Sequence, residues 1–237
     1  MQGVSLEGRP NQIFETDFLL QPIDVLKNEA IALGHINTLV DDDGVLRKIP
    51  LYIKYQDIYL PSLSLAAYGY LNNFEVVQQA NPQSVLNQLG LKENNLRINF
   101  VGSPGKFPFV SYSDVLNKKI NPAFFKDKIV FIGVVASDLH DIEMTPVSRG
   151  QAMAGTEIQA NALNTLLSRN FLTELNRPLT VVLIFLMSGL GLLIVILARK
   201  VWAIVVLTLT ALAVYNFLAF WFFDKGIIFN LIYPNGS

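Results

Sequence analysis

The stretch Leu179 to Leu197, LTVVLIFLMSGLGLLIVIL, carries no charge and only Thr180 and Ser188 as hydroxyl residues. Nineteen such residues are enough to cross the hydrocarbon core of a bilayer as a helix. Fourteen of them are Leu, Ile, Val or Phe. At the usual insertion increments these sum to roughly 6 kcal/mol in favour of the membrane, before glycines and hydroxyls are set against them. Arg199 and Lys200 interrupt the run, and Val201 to Phe223 then continues without a charge, with Trp202 and Trp221 near its ends in the manner of an aromatic belt. The short link between the runs predicts a tight antiparallel hairpin. Ser188, Gly189 and Gly191 allow close backbone approach, and Tyr215 and Asn216 offer hydrogen bonds between helices. After Asp224, Lys225 and Gly226 the apolar run Ile227 to Tyr233 reads as the start of a third membrane helix.

The rest of the chain belongs to a different solvent. The whole sequence has 237 residues, of which 51% are hydrophobic and 16% charged, against roughly 25% charged in an ordinary soluble domain. Before Pro178 there are 15 basic and 18 acidic residues; after it the only charges are Arg199, Lys200, Asp224 and Lys225. The expected division is therefore residues 1–176 as a water-exposed domain and residues 177–237 as a membrane region. Two basic residues in the hairpin loop place that loop in the cytoplasm and the domain outside. Residues Met1 to Phe14 lack the basic start and apolar core of a signal peptide, so an outside location calls for an export signal upstream.

Several function classes drop out on composition. An acidic water-exposed portion has no basic footprint for nucleic acid. The absence of cysteine removes disulfides, thiolate metal sites and a cysteine nucleophile. Neither the phosphate-binding glycine patterns nor a nucleophile elbow is present, since Gly102, Ser103, Pro104 and Gly105 have the wrong spacing.

Within the water-exposed portion, Gly34 to Val40 and Val45 to Tyr55 read as the arms of a β-hairpin closed by Asp41, Asp42, Asp43 and Gly44. Calcium is the alternative reading of these aspartates, but the twelfth position counted from Asp41 is Tyr52, where an EF-hand loop needs glutamate. A plain turn follows, with Asp41, Asp43 and Gly44 shaping it and Arg47 pairing with an aspartate. Pro61 and Ser62 open a helix through Tyr70, with Leu63, Ala66, Ala67 and Tyr70 at helical spacing. A second helix spans Pro82 to Leu89 and closes on Gly90. A strand is expected over Arg97 to Val101, and a short helix capped by Ser113 over Asp114 to Leu116. Ile129 to Val135, IVFIGVV, is the clearest candidate for a central strand covered on both faces. Thr156 caps a helix to about Leu167, which turns Ile158, Ala162 and Leu166 inward, flanked by Leu163 and Leu167. Glu157, Asn161, Asn164 and Ser168 form its solvated stripe. The alternation implies an α/β fold, a mixed sheet with flanking helices and some parallel pairing, followed by the membrane hairpin.

Two blocks of this sequence resemble a known family. Ala32 to Tyr68, ALGHINTLVDDDGVLRKIPLYIKYQDIYLPSLSLAAY, is similar to the second CHASE family, the extracellular sensory domains associated with cyclases and histidine kinases. Phe124 to Asp141, FFKDKIVFIGVVASDLHD, then Thr145 and Pro146, then Gly155 to Leu172, GTEIQANALNTLLSRNFL, match the later half of that pattern in order and spacing. Gln159 stands where the family commonly has histidine. The resemblance implies three membrane helices after the domain, and an N-terminal helix and strands that have no counterpart ahead of Met1, leaving an incomplete sheet.

The leading expectation is the sensing region of a receptor. It binds an unknown small molecule or protein and couples that event to a cytoplasmic nucleotide cyclase, diguanylate cyclase or protein kinase. A pairing with a second copy is left open. No cofactor, metal or chemistry of its own is assigned. The loop after the apolar run is the candidate ligand contact, through Ser137, Asp138, His140, Asp141 and Thr145, joined by Glu157 and Asn161 on the helix that follows. Catalysis by His140 among Asp138, Asp141 and Glu143 is the lesser alternative. A membrane assembly protein that binds a partner through its outer domain, with no signalling output, is the other.

Overall fold

The computed structural model describes residues 13–74, 76, 81–134, 141–174, 177–198 and 200–228. The chain divides into two compact units, Met1–Phe171 and Leu172–Ser237. In order, the first contains β1 (Phe14–Thr16), α1 (Asp24–Glu29), β2 (Leu39–Val40), β3 (Leu46–Pro50), β4 (Tyr52–Tyr55), β5 (Ile58–Pro61), α2 (Leu63–Leu71), α3 (Pro82–Leu89), β6 (Asn95–Arg97) and α4 (Tyr112–Leu116). A 3-10 turn (Pro122–Phe125), β7 (Ile142–Glu143), β8 (Met153–Ala154) and α5 (Gly155–Ser168) complete it. The second holds β9 (Thr173–Glu174), α6 (Arg177–Leu197), α7 (Val201–Phe223) and β10 (Ile227–Ile228).

The hairpin forms where its turn chemistry requires. Gly44 takes φ 75°, and its N–H closes the turn on the Asp41 carbonyl. Arg47 reaches Asp43 with both terminal nitrogens, at 2.8 and 2.7 Å, and Asp41 at 2.8 Å. That guanidinium holds the Asp43 carboxyl down to about 2. The arms are shorter than the sequence implies. Only β2 pairs antiparallel with β3, and Gly34 to Thr38 contribute a single bridge, His35 to Ser62.

The long run Val45 to Tyr55 is split between two sheets. β3 lies between β2 and β6 in one, whereas β4 lies between β1 (parallel) and β5 (antiparallel) in the other. At the crossing point Asn94 serves as a surrogate strand. Its Oδ1 accepts the Tyr52 N–H at 2.9 Å, its Nδ2 donates to the Tyr52 carbonyl at 2.7 Å, and its own carbonyl accepts the Leu51 N–H at 2.7 Å. Buried backbone groups need such partners, and Asn94 is itself buried. The fold is mixed α/β as expected, with parallel pairing of β1 and antiparallel pairing of β5 on β4, and the described strands form four small sheets.

α2 and α5 pack on each other over the core formed by Leu46, Ile49, Leu51, Tyr52, Leu96 and Met153. Each fully buried Leu or Ile here stabilises the fold by about 1.5–3 kcal/mol. Ser62 caps α2, accepting the Leu65 N–H. Its buried face is rotated from the expected one: Leu65 and Tyr68 are inside and Tyr70 is exposed. The helix is apolar nearly all round, so periodicity alone could not choose a side. α3 runs Pro82–Leu89 and ends on Gly90 at φ 77°, as its sequence predicts. In α5 the inward residues are Ile158, Ala162, Leu163 and Leu166, whereas Leu167 is exposed.

Four local expectations are corrected. Residues 129–134 are neither paired nor buried: Ile132 is 78% exposed and Ile129 49%. A continuous apolar run signals cover on both faces, but only one is covered here. Phe131 packs on the core, and Gly133 lies so close to Thr156 that a Cβ would clash with it. No strand lines either edge among the described residues. The sixth strand sits at Asn95–Arg97, two residues before its expected start, because its ladder to β3 is fixed by Leu96 opposite Ile49. α4 begins after Ser111 without a side-chain cap, so Ser113 lies inside it. Thr156 likewise lies inside α5, which begins at Gly155.

In the second unit the two helices match the charge-free runs, α7 to the residue. Both are long and apolar enough to cross a membrane, with mean hydropathy 2.8 and 2.2 and only 6% of each most apolar stretch buried. Ile227 and Ile228 do not start a third helix. They pair in parallel with Thr173 and Glu174, because Gly226 leaves the helical path at φ 78° and its carbonyl accepts the Thr173 N–H at 2.7 Å. The remainder of that expected helix lies outside the described residues.

Candidate functional site

Of the anticipated ligand contacts, Ser137, Asp138 and His140 lie outside the described residues. Of the other four, Asp141, Glu157 and Asn161 lie at or on α5, and Thr145 lies in the segment between β7 and β8. Asp141 directly precedes β7, which pairs with β8 through Ile142 opposite Ala154 and Glu143 opposite Met153. This ladder delivers the Asp141 carbonyl to the Gly155 N–H at 2.9 Å and lays its carboxylate on Gly155 itself, where any Cβ would collide with it. Asp141 thus stands at the first turn of α5, where negative charge is favoured. Burial pushes its carboxyl pKa up, and burial followed by the Asp141 charge does the same for Glu143.

Thr145 is buried and closes a small turn. Its N–H donates to Ser148 Oγ at 2.8 Å and the two hydroxyls are 3.0 Å apart. The Met144 carbonyl accepts the Leu46 N–H at 2.7 Å, which ties this segment to the start of β3.

Glu157 and Asn161 do not form a solvated stripe. Asn161 is fully buried; its Oδ1 accepts the Val101 N–H at 3.0 Å, and its Nδ2 donates to the Glu157 carbonyl at 2.9 Å. One turn later Thr165 Oγ1 accepts the Asn99 N–H at 3.1 Å. One turn earlier the Glu157 carboxylate accepts the N–H groups of Gly105 and Lys106 at 3.0 and 3.1 Å. Three side chains four residues apart therefore take up the backbone donors of Asn99, Val101, Gly105 and Lys106, which have no strand partner among the described residues. Sequence reading missed Thr165, although its spacing from Asn161 signals the shared face. It also missed Asn94 and His35, for which no local signal exists.

His35 is 7% exposed and its Nε2 has no partner among the described residues, while Nδ1 accepts the Asn37 N–H at 3.3 Å. Burial lowers its pKa to about 3. Gln159 Oε1 is likewise buried without a partner among the described residues. Among the described residues no group of three or more His, Asp or Glu is placed to hold a metal ion. A cavity of about 280 Å³ opens elsewhere, between Tyr59, Gln83, Leu86, Lys92, Glu93 and Asn94, and includes none of the anticipated contacts.

No curated protein and no solved structure matches the chain. The CHASE2 domain family model matches residues 6–198, spanning both sequence blocks, the whole α5 region and α6. The turn at Gly44, the capped α2, the α5 clamp and the apolar helix after it all fall inside that match, and the chain belongs to the CHASE2 family of extracellular sensory domains.

Proposed function

We propose that this chain is the membrane-bound sensing region of a signal-transduction receptor, with α6 and α7 crossing the bilayer as a hairpin. The water-exposed domain lies outside the cell, and the Arg199–Lys200 loop lies in the cytoplasm. A small molecule or protein binds outside and alters the helices, which changes the activity of a cytoplasmic nucleotide cyclase, diguanylate cyclase or protein kinase. The chain itself performs no catalysis. Binding must differ between two conformations, because equal affinity for both transmits nothing.

The observation that carries this reading is a sensory-family match together with two helices whose charge-free runs, Pro178–Leu197 and Val201–Phe223, leave most of their apolar side chains exposed. The stimulus contacts the loop containing Ser137, Asp138 and His140 and the adjoining carboxylates of Asp141 and Glu157. Thr145 and Asn161, whose polar atoms are already engaged, support those contacts from behind. Reporter fusions test the arrangement: an enzyme active only outside the cell, inserted at Ser137, is expected to be active, and at Lys200 inactive. A cytoplasmic signal at Ser137 overturns the proposal.

A further inference from the structure

α7 spans 23 residues, about 34 Å at the helical rise. Asn216 lies seven residues before its end, about 10 Å inside, and is exposed. Its Nδ2 donates to the Leu212 carbonyl at 2.8 Å, which leaves Oδ1 and the second amide proton without a partner among the described residues. Of the less exposed positions of α7, Ile204, Ala211, Tyr215, Ala219 and Phe222 form one narrow stripe, and Ala203 lies off it. At 3.6 residues per turn Asn216 projects about 100° away from that stripe. Val205, Leu209, Leu212 and Phe220 share its face, exposed by 51, 60, 48 and 69%. Lipid chains can neither donate nor accept a hydrogen bond, and the side chain is too short to reach the headgroups.

We propose that two copies of the chain pair in the bilayer through this face of α7, the two Asn216 carboxamides hydrogen-bonding to each other. The pairing rests on the reading of α6 and α7 as membrane helices. A carboxamide is donor and acceptor at once, so it complements its own image across a two-fold axis along the membrane normal. Two copies with the same topology also bring residue 216 to the same depth. A different partner needs a polar group at a matching depth. One asparagine on an otherwise apolar seam fixes the register of such a pair.

The chain has no cysteine, so single-cysteine variants of the full 237 residues in phosphatidylcholine vesicles report pairing by disulfide cross-linking. Leu212→Cys is expected to cross-link readily and Val214→Cys, on the far side of α7, poorly. In the Leu212→Cys background Asn216→Leu weakens association about three- to thirtyfold, whereas Asn216→Gln, which keeps donor and acceptor, retains it. Equal cross-linking at 212 and 214, or no loss with Asn216→Leu, overturns the pairing while a chain that resists alkaline extraction leaves the membrane reading standing. Release of the chain by alkaline extraction overturns both.

Discussion

Acidification from pH 7.5 to 5 should destabilise the domain through His35. The ring is held by its backbone on both sides, with its N–H on the Pro61 carbonyl and its carbonyl accepting the Leu63 N–H, both within 2.9 Å. It cannot swing out to gain a proton without breaking the entry to α2. Its pKa in the folded chain is about 3 against an ordinary value of 6.5. The unfolded chain therefore binds a proton that the folded chain refuses, and stability, full above pH 6.5, falls as the pH drops toward 3. At pH 5 the loss from this one group is about 2 kcal/mol. Urea midpoints of the full chain in detergent, followed by tyrosine near-UV circular dichroism, measure it between pH 7.5 and 5. Tyrosine is the right probe because both tryptophans, Trp202 and Trp221, lie in α7. His35→Asn keeps an acceptor for the Asn37 N–H and should lower stability at pH 7.5 but flatten the pH dependence. His140→Gln, at the only other histidine, should leave the slope as it was. An equal slope in parent and His35→Asn refutes the reasoning.

Asn161→Ala strands the Val101 N–H and removes a buried carboxamide, and should cost about 2–4 kcal/mol; hydrogen exchange at the Val101 amide should quicken, and an unchanged rate contradicts the clamp. Thr165→Val keeps the shape and loses only hydrogen bonds, so the same denaturation assay should show about 1–2 kcal/mol. Gly34→Ala places a Cβ 2.6 Å from Leu63 Cα and 2.7 Å from its N; backbone cannot yield cheaply, and a loss of about 1–3 kcal/mol is expected, with a neutral melt arguing against the close approach. Arg47→Ala should lose at most about 1 kcal/mol, since Asp41 and Asp43 are 36 and 55% exposed. That difference should vanish in 1 M salt, and a larger salt-independent loss refutes a surface role.

The elements legible in the residues were those whose cause lies within a few neighbours. Asn81, Pro82 and Gly90 start and stop α3 by their own backbone preferences, Ser62 caps α2, and the Asp41-to-Gly44 turn closes on itself. The candidate site was legible only in outline. Asp141 and Glu157 do meet the first turn of α5, but nothing near Asn161 or Thr165 in sequence discloses that their partners are Val101 and Asn99, sixty and more positions away.

By itself the sequence determined which two runs are long and apolar enough to cross a membrane, because that property follows from length and the absence of charge alone. It also determined the short caps and turns. Only the tertiary structure decided that one apolar run, residues 129–134, stays unpaired, that Val45 to Tyr55 is divided between two sheets, and that a polar helix face points at backbone instead of solvent. Each of those outcomes depends on which distant strand or loop arrives to pair, and hydrophobic periodicity records how much a residue gains from cover without recording what covers it.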